Sequence, residues 1–236
     1  MVEVYLLKLT DRLDEPAEKF LHLFTEERRE KILRYKFAAD RNRTIFAELL
    51  VRSVIAKKIS RPIEEILIER DFCGKPHVVD GNLEISLAHS ENWAVCSVGE
   101  VPSGVDVEED FSDALAVAKN FFLPQEYQKL CELDGRARAE KFLCLWTIKE
   151  SFVKFIGRGI DETFSAIDAE EILSGQSSIV GKNFFVGEAV AGVCTSRGCL
   201  PKNFILASAE NFLQCAQNLR ERNTFVSSPN FSTCRR

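Results

Sequence analysis

The sequence predicts an α+β fold of two lobes related by a pseudo-twofold, each with a small, mostly antiparallel sheet packed against one long helix. Three observations support it. In both halves of the chain, a long helical stretch is followed by short alternating segments typical of strands. Residues 49–57 and 145–154 align when one extra residue is allowed in the second segment, which indicates an internal duplication. The chain of 236 residues, 45% of them hydrophobic, is also long enough to bury two modest cores.

The first lobe is expected to span residues 1–103. Thr25 is a suitable N-cap for a helix whose first turn carries two acids. Turn signals, among them Gly74, separate the later strands. In chain order, the predicted elements are a strand at 2–9, helices at 16–24, 26–35 and 40–59, and strands at 66–69, 83–87, 93–98 and 103–107.

The second lobe is expected to span residues 104–210. A helix begins near Pro124, a residue suited to the first helical position. A long helix is then predicted at 136–156, followed by strands at 178–180, 184–191 and 204–207. Residues 211–236 are predicted to form a C-terminal helix and a tail, to which no function is assigned.

Composition and charge exclude several classes of protein. The net charge of −5 argues against a nucleic-acid binder. The eight cysteines show no C-x-x-C spacing, so zinc is not expected, and several lie in apolar runs typical of reduced, buried thiols. No stretch is long and apolar enough to cross a bilayer, and the first residues lack the basic start of a signal peptide. We expect a soluble, cytoplasmic protein with no membrane or nucleic-acid partner.

Two segments about forty residues apart together indicate a magnesium and phosphate site. In the first, from Gly104 to Glu109, Val105 and Val107 alternate with Asp106 and Glu108. A strand here would bury both valines and project both carboxylates from its other face.

The second segment, from Trp146 to Gly159, follows helical spacing, and Glu150 and Lys154, four apart, share one of its faces. Two carboxylates about 4 Å apart repel by roughly 4 kcal/mol near a protein surface, and a third adds to this repulsion. A cation would relieve it, and Mg²⁺ binds carboxylates together with substrate phosphates. The alternative is a solvated strand face and a surface ion pair of small energetic consequence.

The two segments resemble the signature pair of the 4′-phosphopantetheinyl transferases, G-[IV]-D-[IV]-E and W-[TS]-x-K-E-[SA]-x-x-K-x-x-G-x-G, at every position. Their order and spacing are similar to those of the long, surfactin-synthetase-activating type over about residues 1–210. The resemblance implies the two-lobed fold in one chain, with the cofactor between the lobes, and a functional monomer. Further agreement lies upstream at residues 30–31, 40–44, 50–53, 74–76 and 86–90.

The resemblance also implies the reaction. The 4′-phosphopantetheine arm of coenzyme A, the co-substrate, would move to a serine of an apo acyl or peptidyl carrier protein, with release of 3′,5′-ADP. Asp106, Glu108 and Glu150 are the implied ligands of Mg²⁺, with Mn²⁺ as the alternative ion. Glu150, directly or through a bound water, is the candidate base for the serine hydroxyl, and Lys154 would steady the diphosphate.

The coenzyme-binding positions of the family carry over residue by residue. For Arg28 and Lys31, a solvated helix face is the alternative. His89 is expected to pair as a cation with a phosphate, and the alternative is a packed histidine. The chain has Ala88 where the family commonly has serine, so one hydroxyl contact would be missing or supplied by Ser90. The implied coenzyme-binding residues are Arg28, Lys31, Arg43, Lys75, Pro76, His89 and Lys154.

Aromatic residues between the two segments are candidates for the carrier-protein contact, with core packing as the alternative for at least half of them: Phe111, Phe121 and Phe122, followed by Leu123. Two other functions stay open. A catalytically inactive module that binds coenzyme A and carrier proteins would be expected to lose an acidic ligand or Lys154, and none is lost. A different magnesium-dependent nucleotide enzyme ranks last, because the chain has neither a Walker-type loop nor a G-x-G-x-x-G motif after a strand.

Overall fold

The fold alternates helices and short strands along the whole described chain. The structure, a computed structural model, describes residues 1–9, 17–79, 81–110, 113–159 and 163–207. The predicted C-terminal segment at 211–236 lies outside the described residues. In chain order the elements are β1 (Glu3–Lys8), a 3₁₀ helix (Ala17–Leu23), α1 (Glu26–Leu33), α2 (Ala38–Ile59), a 3₁₀ helix (Ile63–Glu65), β2 (Ile68–Arg70), β3 (Pro76–Val78), β4 (Glu84–His89), β5 (Trp93–Gly99), β6 (Ser103–Glu108), α3 (Ala114–Phe121), α4 (Pro124–Cys131), α5 (Gly135–Ile156), a 3₁₀ helix (Phe164–Ala166), α6 (Ala169–Ser174), β7 (Ile179–Val186), β8 (Ala189–Ser196) and β9 (Phe204–Ala207).

Each half of the chain places one 22-residue helix on an antiparallel sheet, α2 on β4 and β5, and α5 on β6 and β8. In the first half, β1 precedes α2 and pairs with β5, the second strand of the hairpin after α2. In the second half, β6 precedes α5 and pairs in the same way with β8. The sheets therefore have matching orders, β4-β5-β1 and β7-β8-β6. The predicted α+β fold with two repeated lobes is confirmed.

The two long helices correspond without any insertion, whereas the sequence alignment needed one extra residue. Arg52 and Lys149 are each the fifteenth residue of their helix and are both fully buried. Each donates to the carbonyl of an isoleucine that directly follows a one-turn 3₁₀ helix, Ile66 for Arg52 and Ile167 for Lys149. This shared contact is strong structural evidence for the duplication.

Three predicted elements differ from the structure. The first helix is a 3₁₀ helix at Ala17–Leu23. The predicted strand at 184–191 is instead the end of β7 and the start of β8, because Gly187 adopts a left-handed conformation, φ 65°, and turns the chain between them. The strand at 204–207 is present, but it pairs in parallel with β1, in the sheet of the first half. The division of the chain at residue 103 stays a prediction.

The two halves are joined along β4 and β6. The Val105 amide donates to Ser86 Oγ at 3.1 Å, and Ser103 Oγ donates to Ser97 Oγ at 2.8 Å. Beside these bonds, Val105 and Val107 pack in one core cluster with residues of β1, β5, β7 and β8. Since this core is shared, β6 cannot move relative to the first half without opening it.

Close approach of α5 to the sheet depends on two glycines. A Cβ atom added to Gly104 of β6 would lie 1.9 Å from the Ser151 carbonyl oxygen and 2.5 Å from the Phe155 amide nitrogen. A Cβ added to Gly192 of β8 would lie 2.6 Å from the Thr147 carbonyl oxygen. Only glycine permits this contact of backbone with backbone. The glycine of the first signature segment is therefore required by packing.

The substitution Gly104→Ala is expected to destabilise the fold by about 3 kcal/mol, the upper part of the range for overpacked cores, because the added methyl group meets helix backbone that cannot rotate away. The free energy of unfolding from urea titration measures the effect. Gly187→Ala is the matched control. Its added Cβ meets no described atom within 4 Å, so only the left-handed backbone costs energy, about 1 kcal/mol. Equal losses in the two variants would contradict the packing argument.

Candidate active site

A cavity of about 520 Å³ lies between the two halves of the chain. The first half supplies a basic wall from α1, β2 and β4, and the second half supplies an acidic wall from β6 and α5. The charged or titratable residues that line the cavity are Arg28, Lys31, Arg70, His89, Asp106, Glu108, Glu150 and Lys154. The two walls carry the opposite charges that a phosphorylated ligand and a metal ion require.

The packing of β6 against α5 positions the side chains of the acidic wall. Gly104, which touches α5, shares a strand face with Asp106 and Glu108, because side chains alternate along a strand. Glu150 and Lys154 lie one helical turn apart on α5 and line the same cavity. The structure thus brings together all four predicted residues of the two signature segments.

One direct contact joins the two segments: Lys154 Nζ donates to Asp106 Oδ1 at 2.7 Å. The second oxygen, Asp106 Oδ2, is buried and has no hydrogen-bond partner among the described residues. A buried carboxylate oxygen without a partner is costly. It therefore marks a position where a ligand would stabilise the site.

The carboxyl groups of the acidic wall disfavour each other's charge. Burial, followed by the charge of Asp106, raises the pKa of Glu108 and of Glu150. Burial opposes the charge of Lys154, yet Asp106 and Glu150 together raise its pKa. One ammonium among three carboxyl groups leaves the wall short of positive charge.

The carboxyl groups of the acidic wall are suitable ligands for a hard divalent cation, but they are not yet arranged as a complete coordination site. In the described part of the chain, no three acidic, histidine or cysteine side chains already stand as a complete set of metal ligands. Asp106, Glu108 and Glu150 nevertheless offer only oxygen donors, which Mg²⁺ prefers. The unpartnered Oδ2 of Asp106 is available for such an ion.

The coenzyme-binding residues expected from the sequence fall into three places. Arg28, Lys31 and His89 line the main cavity. Lys75 and Pro76 line a neighbouring cavity of about 200 Å³, which shares Arg70, Leu87, Glu150 and Lys154 with the first. Arg43 lines neither cavity and forms an ion pair with Asp40 at 2.5 Å.

The surroundings of His89 disfavour the cationic imidazole that the sequence analysis favours, and its role beside a phosphate stays a prediction. Its ring is accessible from the cavity, but burial against the cavity wall, followed by the charges of Arg43 and Lys154, lowers its pKa to about 4. Its Nε2 lies 3.3 Å from Thr44 Oγ1. Ser90, the suggested substitute for the serine replaced by Ala88, donates its hydroxyl to Glu109 at 2.6 Å.

Sequence reasoning missed several residues of the cavity: Tyr35, Thr44 and Arg70. Thr44 stands inside an upstream segment that the resemblance quoted, and this was the available signal. Tyr35 and Arg70 carry no motif signal. They reach the cavity through the packing of α1 and of the β2–β3 hairpin, which local patterns do not reveal.

Two of the aromatic residues suggested for the carrier contact pack around Trp146. The Phe122 ring is buried and stacks on Phe142 at a centroid distance of 5.2 Å. Phe121 is 36% exposed and makes an edge contact with Trp146 at 6.1 Å. Phe111 lies outside the described residues. Core packing, the stated alternative, therefore accounts for Phe122.

Comparisons with known proteins match both halves of the chain. Residues 102–196 match the 4′-phosphopantetheinyl transferase superfamily, and residues 14–100 match the family described as 4′-phosphopantetheinyl transferase, N-terminal. The chain is 32% identical to the 4′-phosphopantetheinyl transferase Sfp of Bacillus subtilis (strain 168), covering 70% of this chain and 74% of that protein. It is 32% identical to the 4′-phosphopantetheinyl transferase gsp of Aneurinibacillus migulanus, covering 68% of each.

A further relative, the 4′-phosphopantetheinyl transferase psf-1 of Bacillus pumilus, is 28% identical over 92% of this chain and 100% of its own length. The chain belongs to the 4′-phosphopantetheinyl transferase superfamily. The predicted family and the predicted enzyme class are confirmed. In the part of the transferase that the structure describes, no helix is both long and apolar enough to span a membrane.

Lys149, the lysine of the second signature next to Glu150, has a structural position in this transferase. It forms an ion pair with Glu126 at 2.9 Å, and both side chains are fully buried. Glu126 also accepts from the amides of Leu123 and Ala169, each at 3.0 Å, so the pair connects α5 with α4 and α6. Burial lowers the pKa of Lys149, while Glu126 opposes this shift.

Removing one member of this pair is expected to cost about 3–5 kcal/mol in the free energy of unfolding, because the other charge is left buried and unpaired. Urea titration of Lys149→Met tests this, and the double variant Lys149→Met/Glu126→Gln should lose less than the sum of the two single changes. Lys129→Met is the control, since its ion pair with Glu170 is 52% exposed at the lysine and contributes less than about 1 kcal/mol. If Lys149→Met lost no more unfolding free energy than Lys129→Met, the structural role assigned to the Lys149–Glu126 pair would be refuted.

Proposed function

We propose that this transferase moves the 4′-phosphopantetheine group of coenzyme A to the acceptor serine of apo acyl or peptidyl carrier proteins, releases 3′,5′-ADP and requires Mg²⁺. The observation that carries the proposal is the convergence of Asp106, Glu108, Glu150 and Lys154 on one wall of a cavity whose opposite wall is basic. Such a cavity suits a diphosphate with an additional phosphate group. Coenzyme A has both.

The acidic wall would hold the metal. Asp106, Glu108 and Glu150 are the proposed ligands, since their oxygens fit Mg²⁺, and Mn²⁺ is the alternative ion with the same ligands. When bound, the ion supplies positive charge that offsets the charge on the reacting diphosphate. Lys154, held against Asp106 at 2.7 Å, adds a second positive charge at the same place.

The reaction itself is a displacement at phosphorus. The serine oxygen forms a bond to the phosphorus that bears the pantetheine arm, and the bond from that phosphorus to the bridging oxygen breaks. The leaving 3′,5′-ADP takes the bonding electron pair, and the serine proton passes to a base. We assign that base to Glu150, directly or through a bound water, because its carboxyl group lines the cavity beside Lys154, the residue proposed to hold the diphosphate. The remaining contribution of the protein is the positioning of both substrates.

A single copy of the chain is proposed to be sufficient, because residues 1–207 supply both the basic and the acidic wall of the cavity. We further propose that the protein works in the cytoplasm. Cys96 and Cys194 are buried as free thiols, which is typical of proteins kept in a reducing compartment.

The alternative function is a catalytically inactive module that binds coenzyme A and carrier proteins. Such a module would keep the basic wall but would have no use for three carboxyl groups that repel one another near Lys154. This chain retains the complete acidic set, so the enzymatic function is favoured over the binding module.

Replacement of the proposed base tests the assignment. Glu150→Gln is expected to lower the transfer rate at least about a hundredfold, because the carboxylate that accepts the proton is lost. Glu108→Gln should also depress the rate strongly. The measurement is mass spectrometry of apo carrier proteins incubated with enzyme, coenzyme A and Mg²⁺, which detects the added phosphopantetheine. Glu188→Gln, the same change in the exposed β7–β8 turn, serves as control. Near-normal rates for both site variants would rule out this site.

Removal of divalent metal is expected to stop transfer, and addition of Mg²⁺ or Mn²⁺ should restore it, since the negative charge of the diphosphate would otherwise be left uncompensated. A second readout does not depend on turnover. With coenzyme A present, Mg²⁺ should raise the unfolding temperature of the wild-type protein and should raise that of Asp106→Asn much less. Full activity in a chelator would exclude a metal requirement.

A further inference from the structure

A buried carboxylate organises the basic wall of the cavity. Glu48, in the middle of α2, is only 2% exposed and accepts from two guanidinium groups, Arg28 Nε and Arg70 Nη2, the second at 2.7 Å. Arg28 comes from α1, and Arg70 from the end of β2. Glu48 therefore ties three separate elements together at one point.

The charges in this cluster do not balance. Arg52, one turn along α2 from Glu48, is a third guanidinium in the cluster, and burial lowers its pKa, with Glu48 opposing and Arg70 adding to the shift. Two guanidinium groups thus pair with one buried carboxylate, and Arg52 adds a third positive charge one helical turn away. Arg52 donates to the Ile66 carbonyl and lines neither cavity, whereas Arg28 and Arg70 are 14% and 24% exposed and line the main cavity. The excess positive charge is presented there.

The guanidinium groups of Arg28 and Arg70, which line the cavity, are held in position by bonds within the protein. Arg70 donates through Nη1 to the Gly74 carbonyl at 2.9 Å and through Nη2 to Glu48, so its plane is fixed on two sides. Several of its five N–H groups remain for a ligand. Arg70 also lines both cavities and stands where they meet. Guanidinium groups fixed in this way bind phosphate with little loss of conformational freedom.

The family resemblance already implies that Arg28 binds coenzyme A. We propose that Arg70, oriented by Glu48, joins Arg28 in a guanidinium clamp for the 3′-phosphate of coenzyme A. Arg70 is a binding residue that determines specificity, and Glu48 is a positioning residue. The inference rests on the proposed function, which supplies the ligand. The diphosphate is proposed to bind at the acidic wall, beside Lys154. The 3′-phosphate is the one other phosphate group of coenzyme A, so we place it at the basic wall.

Equilibrium binding tests the clamp independently of transfer. Coenzyme A and 3′-dephospho-coenzyme A are titrated calorimetrically into the full chain in the presence of Mg²⁺. Arg70→Gln is expected to weaken binding of coenzyme A about tenfold or more, and to change binding of the dephospho compound less than about twofold, because only the former presents a phosphate to the clamp. Arg136→Gln is the matched control, since it removes the same charge from a side chain that is 78% exposed.

Glu48 is tested by its effect on the two arginines. Glu48→Gln should reproduce the selective loss of coenzyme A binding, and Glu48→Asp, which keeps the charge, should recover part of it. In the transfer assay, KM for coenzyme A should rise while kcat stays within about twofold. If Glu48→Gln fails to fold, Arg70→Gln alone decides the proposal, since its side chain is partly exposed.

Two results would overturn the clamp. One is unchanged binding of coenzyme A to Arg70→Gln, and the other is an equal loss for coenzyme A and its dephospho form, which would mean that Arg70 only shapes the cavity. Failure of the proposed function has a different signature. In that case no carrier protein is modified by the wild-type chain, while the selective binding loss in Arg70→Gln is still observed.

Discussion

The active site depends on the direct contact of the α5 backbone with β6 and β8. Gly104 and Gly192 leave no side chain between strand and helix, so the carbonyls of Thr147 and Ser151 lie against the sheet. Asp106, two residues after Gly104 on β6, then faces Lys154, three residues after Ser151 on α5. This contact brings the carboxyl group of Asp106 within 2.7 Å of Lys154 and places Glu108 and Glu150 on the same cavity wall. A helix seated one side chain further from the sheet could not close this ion pair.

The two walls of the cavity carry an excess of opposite charge, negative on one and positive on the other. On the acidic side, three carboxyl groups face one lysine, and burial raises the pKa of Glu108 and Glu150. On the basic side, Arg28 and Arg70 both pair with Glu48, and Arg52 lies one helical turn away. Each imbalance alone opposes folding. A ligand that brought phosphates to one wall and a cation to the other would relieve both imbalances, so its binding would stabilise the junction between the halves. The buried pair of Lys149 and Glu126 ties α5 to α4 and α6.

Local patterns revealed much of this fold, and the remainder depends on contacts between distant residues. The long helices and the strand at Ser103–Glu108 were predictable because apolar spacing reports which face is buried. The break at Gly187 was missed, since one glycine within an apolar run also fits a continuous strand. The pairing of β9 with β1 joins residues about 200 positions apart and has no local signal. Arg70 and Glu48, 22 positions apart, were missed for the same reason. The pKa of His89 is lowered by burial and by the charges of Arg43 and Lys154, and only the folded chain produces either effect.

The duplication explains how one scaffold came to serve two chemical roles. Arg52 and Lys149 occupy equivalent positions and anchor equivalent loops, so the repeat preserved the buried cation that fixes each long helix. The residue that follows differs: Ser53 in α2, but Glu150 in α5. The preceding strands differ as well, because β1 packs Tyr5 and Leu7 into the core around α2, whereas β6 turns Gly104 and Asp106 toward α5. The first half therefore has a closed apolar contact at the place where the second half has its acidic wall. The proposed catalytic groups of one repeat and the proposed coenzyme-binding groups of the other line the same cavity, so both halves are needed to form it.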